Sequence, residues 1–241
     1  NVDLTEGIDI SIPLVHGESG PKCFYAPDFK IEPVVAGSFI GDTQQGSPIN
    51  FKNIFINPHG NGTHTECVGH IAKESYTINQ CLKEFNHVAY LVTLTPHMTD
   101  NGEKYITASA LERELQTMPP CTTLIIRTLP NDMSKMRCDY SGSNPPYFED
   151  KSMQFIVDKG IKHLIVDLPS VDREEDGGKL STHKIFWQYP EQPDLSKTIT
   201  EMVFIPNEVM DGLYFCQIHI SSLELDASPS KILLYKMNKI K

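Results

Sequence analysis

Between residues 57 and 70 the chain reads Asn-Pro-His-Gly-Asn-Gly-Thr-His-Thr-Glu-Cys-Val-Gly-His, a run that holds three of the nine histidines in the sequence. In an extended segment His64 and Glu66 leave the same face, and His70 shares their parity if the strand continues. One face would then carry two imidazoles and a carboxylate, the donor pair that suits zinc and other divalent first-row metals. Glycines at 60, 62 and 69 would let the backbone bend closely around an ion. A polar Gly-Asn-Gly turn beside histidines is also an ordinary exposed loop. Local spacing alone leaves both readings open. Cys67 lies inside the run and could serve as a nucleophile, but strand parity turns it away from His64 and Glu66, which favours packing.

The surrounding chain must supply elements that hold such a face. Residues 9 to 16 alternate apolar and polar side chains before Pro13, the pattern of a short edge strand. Residues 17 to 50 are rich in Gly, Pro and Ser and contain Phe24, Tyr25, Phe29 and Phe39, so they read as a long functional loop whose aromatics either wall a pocket or cover the core edge. Phe51 to Ile56 reads as a strand delivering the chain into the histidine run, and 78 to 86 as a short helical or loop link. His87 to Leu94, Leu124 to Arg127 and Ile161 to Asp167 are apolar strand-like runs. Thr107 is a fitting N-cap for a helix from Ala108 to about Thr117, ended by Pro119 and Pro120. A second helix is expected near Phe148 to Lys159, ended by Gly160, and a third begins at His183. Leu213 to Ser221 and Ile232 to Tyr235 form the last strands, joined through Asp226-Ala227-Ser228-Pro229. Strands alternating with helices give an α/β domain with a parallel or mixed sheet.

The segment from Gly62 to His70 resembles the signature His-x-Gly-Thr-His-x-Asp-x-Pro-x-His of the cyclase family of metal-dependent hydrolases, to which bacterial kynurenine formamidases belong. Gly-Thr-His and the last His match, Glu66 stands for the Asp, Val68 for the Pro, and Gly60 occupies the first His position with His59 one residue away. Asp167-Leu168-Pro169-Ser170-Val171-Asp172, followed by Ser181-Thr182-His183, resembles the second signature, and Glu201 matches a carboxylate ahead of an apolar strand. The resemblance implies a mixed or barrel-like β core flanked by helices in one domain, 1–241. It also implies a metal shell of His64, Glu66, His183 and Glu201, with His59 as a further ligand and Glu66 bridging if two ions bind. Zinc is the expected cofactor, with manganese as the alternative. His70 would be the proton shuttle in amide hydrolysis by metal-activated water, with an aryl formamide such as N-formylkynurenine as substrate. Trp187, Phe24, Tyr25 and Phe39 are candidates to contact an aryl group, and Trp187 falls on the helical face of His183. Two rivals stand beside this reading: lactone or cyclic-amide opening on the same scaffold, and a degenerate non-catalytic binding protein, which Gly60, Glu66 and Val68 would favour.

A chain of 241 residues with 39% hydrophobic content can bury one sizeable core. Its formal net charge of -10 argues against sequence-independent binding to nucleic acid or to an anionic membrane, which leaves small-molecule or protein partners. A small-molecule substrate and a homodimer or higher homo-oligomer are the expectation. The six cysteines contain no Cys-x-x-Cys pair, and reduced buried thiols fit a cytoplasmic location. No run of eighteen apolar residues is present, and the absence of an initiator Met leaves room for a removed leader.

Overall fold

The computed structural model describes residues 2–17 and 20–237, and its centre is a barrel. Eight strands form the main sheet: β1 (Ile8–Asp9), β2 (His64–Glu66), β3 (Asn86–Leu94), β4 (Thr123–Thr128), β5 (His163–Val166), β6 (Thr198–Glu201), β7 (Gly212–Ile220) and β8 (Ala227–Lys236). Seven of them close in the order β8, β7, β3, β4, β5, β6, β2 and back to β8, while β1 adds to β8 beyond β2. The β3–β4, β4–β5 and β5–β6 pairs are parallel and the remaining pairs are antiparallel. The expected mixed, barrel-like core with flanking helices is therefore the observed one.

The central strands are apolar because both of their faces are covered. Leu124, Ile126, Leu164 and Val166 pack outward with Leu111, Met153, Ile156, Phe186 and Trp187. Those residues come from helices α2 (Ala108–Glu114), α3 (Asp150–Asp158) and α4 (Ser181–Trp187). Ile125 and Ile165, of opposite parity, join Leu91, Cys216, Ile218, Ile232 and Leu234 in a second cluster. A short helix α1 (Ile78–Cys81) closes that second cluster with Ile78 and Leu82. Burying a side chain of this size contributes roughly 1.5–3 kcal/mol.

Several boundaries differ from the sequence reading. The 9–16 strand shrinks to β1 plus an isolated bridge from Ser11 to Val203. Within 17–50, Lys30–Pro33 pairs with Lys52–Phe55 and Val35–Ala36 pairs with Phe39–Ile40, so the loop carries outlying ribbons. The strand expected at Phe51 to Ile56 belongs to one of these and lies apart from the barrel. Thr107 caps α2 as expected, its hydroxyl accepting from Ala110 N, but the helix ends at Glu114. Ala227, Ser228 and Pro229, expected in a connecting turn, are the first residues of β8. Among the described residues no helix is long and apolar enough to cross a membrane.

Candidate metal centre

β2 lies between β6 and β8, with His64 opposite Glu201 and Pro229, and Glu66 opposite Ile199 and Ala227. Directly paired residues share a sheet face, so His64, Glu66 and Glu201 project together toward the helix layer. Thr65 points the other way and bonds Thr200 hydroxyl to hydroxyl at 2.8 Å. α4 brings His183 onto that face, its Nε2 3.2 Å from Glu66 Oε1. His59 arrives from the loop ahead of β2, with Nδ1 3.0 Å from Glu66 Oε2. The strand ends at Glu66, so His70 does not follow by strand parity. A 3-10 turn at Val68–His70 swings it back until Nδ1 is 3.8 Å from Glu66 Oε2. That turn needs Gly69, where a Cβ would lie 2.0 Å from the Tyr76 carbonyl oxygen.

Three imidazoles share one arrangement: one nitrogen faces Glu66 or Glu201 and the other meets an acceptor on the opposite edge of the ring. His64 Nδ1 contacts the Gly62 carbonyl at 3.1 Å and its Nε2 lies 3.4 Å from Glu201 Oε2. His183 Nδ1 meets Asp172 Oδ2 at 2.6 Å. His59 Nε2 meets Asp226 Oδ2 at 2.7 Å. Tying the distal nitrogen to an acceptor fixes tautomer and ring orientation, as is usual for metal-ligating histidines. Asp172 and Asp226 are the residues that the sequence reading missed as site members. Both stand in segments it had singled out, at the end of Asp-Leu-Pro-Ser-Val-Asp and at the start of Asp-Ala-Ser-Pro, and the carboxylate in each was the available signal.

The second motif positions ligands more than it supplies them. Asp172 accepts from Thr182 N, Thr182 Oγ1 and His183 N, which closes the first turn of α4 under the His183 ring. Val171 N donates to Glu201 Oε1 at 3.1 Å. Asp167, the motif's first residue, is spent elsewhere, accepting from Thr128 and from Lys135 Nζ.

The charges are strongly interdependent. Burial opposes ionisation of Glu66, yet His70, His183 and His59 hold its carboxyl well below the usual carboxylate range. Burial also disfavours imidazolium at His183, but the hydrogen bonds it donates to Asp172 and Glu66 outweigh it and raise the group to about 10. His59 rises to about 10 against the same burial, through Asp226 and Glu66. The pocket thus concentrates negative charge that a divalent cation satisfies as protons do. His64 Nε2 is fully buried and makes no hydrogen bond, an unsatisfied group that a cation would partner. The facing donor pairs, His59 with Glu66, His183 with Glu66 and His64 with Glu201, stand 3.0 to 3.4 Å apart. Three overlapping groups of potential metal donors fall here: His59, His64 and Glu66; Glu66, His70 and His183; and His59, His70 and Asp226. The residues fit a metal.

The proposed aromatic contacts fare differently. Trp187 is fully buried, its Nε1 donates to the Lys197 carbonyl, and its ring lies 5.4 Å from that of His183. It backs the ligand from the core side and cannot face a substrate, which corrects the expectation from helical spacing. Phe24 lines a narrow crevice with Cys23, Tyr140, Ser170 and Asp172, next to the cluster. Tyr25 is 74% exposed, and Phe39 belongs to the outlying Phe39–Ile40 ribbon, which contributes nothing to the cluster. Cys67 faces the barrel cluster, its thiol pushed up by Cys81 and by burial, as a packing residue. An apolar cavity of about 620 Å³ opens at the ends of β4 and β5 and shares Tyr140 and Pro145 with the Phe24 crevice.

Residues 2–173 match the family model described as "Putative cyclase". No curated protein matches the chain. Among solved structures, a potential metal-dependent hydrolase with cyclase activity superposes with a TM-score of 0.70 at 17% identity, covering 97% of this chain and 99% of that one. Isatin hydrolase A from Ralstonia solanacearum gives 0.69 at 14% identity over 95% and 91%. Isatin hydrolase A from Labrenzia aggregata gives 0.68 at 13% identity over 95% and 93%. These likenesses establish a shared fold. With a family model spanning well over half of its residues, this chain belongs to the cyclase family.

Proposed function

We propose that the protein is a metal-dependent hydrolase of amide bonds, with His59, His64, Glu66, His183 and Glu201 holding one or two divalent cations. The observation that carries this reading is the buried, unbonded Nε2 of His64 beside Glu201, within a cluster whose His59 and His183 rings are each oriented by a further carboxylate. When bound, zinc or manganese in such a nitrogen and oxygen shell acts as a Lewis acid and lowers the pKa of water toward 7.

The remaining steps belong to the chain. Glu66, with one oxygen toward His59 and the other toward His183, draws the two sides of the cluster together. Asp172 keeps the His183 Nε2 directed inward. His70 is the most exposed imidazole of the cluster, with 30% of its side chain accessible, so it can meet a substrate. In this reading it gives its proton to the nitrogen that departs as the C–N bond breaks, which a poor aryl-amine leaving group requires.

An aryl formamide such as N-formylkynurenine is the first substrate reading. The isatin hydrolases among the structural relatives favour a second, the opening of a cyclic amide. Protein purified without added metal, analysed by plasma mass spectrometry and assayed on both amide classes, tests the reading. A bound divalent cation and chelator-sensitive hydrolysis of one class are expected. Absence of cation uptake, or hydrolysis indifferent to chelator, would overturn it.

A further inference from the structure

His59 stands one residue ahead of the position where the family signature has its first histidine, and no side chain fits at that position. A Cβ on Gly60 would lie 2.2 Å from Ala26 Cβ. The displaced ring is also reversed. His64 and His183 face the cluster through Nε2 and anchor Nδ1, the nitrogen nearer their own backbone. His59 faces Glu66 through Nδ1, which leaves the distal Nε2 in need of an acceptor from another part of the chain.

Asp226 is that acceptor, at 2.7 Å. Its placement is dictated by the barrel seam: its carbonyl accepts from Cys67 N, and Ala227 pairs with Glu66 in the β2–β8 ladder. The same Oδ2 is 3.6 Å from His70 Nδ1, and the His59 and His70 rings are 4.2 Å apart, so both imidazoles lie against one carboxylate, which bonds His59.

We propose that Asp226 is a positioning residue that fixes His59 as the Nε2–H tautomer and presents Nδ1 as the metal-binding atom, replacing the ligand that Gly60 cannot provide. The inference rests on the reading of this cluster as a divalent-cation centre. A carboxylate behind a ligating imidazole typically contributes 10–100-fold in metal affinity.

The test is a Co²⁺ titration of the full chain, followed by visible absorption, for the wild type, Asp226→Ala, Asp226→Asn and Asp172→Ala. Asp226→Ala should weaken Co²⁺ about 10–100-fold and alter the absorption bands, comparably to Asp172→Ala. Asp226→Asn, whose amide oxygen still accepts from Nε2–H, should bind severalfold more tightly than Asp226→Ala. Wild-type affinity and bands in Asp226→Ala, or equal loss in the Asn and Ala variants, would overturn the assignment. Long-range ¹⁵N NMR of the His59 ring in the Zn²⁺-treated chain should show the proton on Nε2 and the metal on Nδ1; the reverse assignment refutes it. A wild-type chain that takes up neither ion removes the metal centre and, with it, the ligand role of His59.

Discussion

Asp172 Oδ2 and His183 Nδ1 lie 2.6 Å apart, on the edge of the imidazole opposite to Glu66. The carboxylate also takes three donors from Thr182 and His183, so helix start and ring orientation depend on one group. Asp172→Asn should retain the acceptor and lose the charge, and Zn²⁺ affinity measured against a chromophoric chelator should fall by about tenfold; Asp172→Ala should cost up to about a hundredfold.

His70 has no place in the proposed ligand set, so its removal should separate binding from turnover. His70→Ala should keep the Zn²⁺ content of the wild type and lower kcat by about a hundred- to ten-thousandfold. Steady-state kinetics with metal analysis on the same samples checks this, and a variant with unchanged kcat would show that another group carries the proton.

Away from the site, His163 is buried against Thr198, 2.9 Å from its hydroxyl, with the His87 ring 4.1 Å away. Burial, then the His87 and Lys162 charges, push its pKa down to about 3, with Asp194 opposing. The unfolded chain binds a proton below about 6.5 that the folded chain refuses until about pH 3. Stability contributed by neutral His163 is therefore full above about 6.5 and lost as pH falls, at up to about 1.4 kcal/mol per pH unit. Urea unfolding between pH 7 and 4 should show a shallower acid loss in His163→Gln than in the wild type.

Gly60→Ala should destabilise by about 1–3 kcal/mol, because its methyl would overlap Ala26. Gly60→His should be worse and should not restore the signature's first ligand. Chemical denaturation and Zn²⁺ titration of both variants measure the two effects separately.

Much of this was legible in the sequence for identifiable physical reasons. Leu124 to Arg127 and Ile161 to Asp167 read as strands because both faces are covered and the apolar run is unbroken. His64 and Glu66 read as neighbours because strand parity holds over two residues, and it fails at His70 because the chain turns after Glu66. Phe51 to Ile56 has strand composition but pairs outside the barrel, where Ile54 and Phe55 are exposed, and composition does not report the pairing partner. Helical spacing placed Trp187 beside His183 correctly, but spacing does not say which side of the ring is the core. Asp226 approaches His59 only because β8 returns to β2, a closure that no local pattern announces.

β2 is three residues long and hydrogen-bonded along both edges, to β6 and to β8. The stave that presents His64 and Glu66 is therefore also the clasp of the cylinder. A one-residue slip there would turn both side chains toward the interior and bring Thr65 out in their place. The ladder that shuts the barrel is thus the same one that fixes the facing of His64 and Glu66.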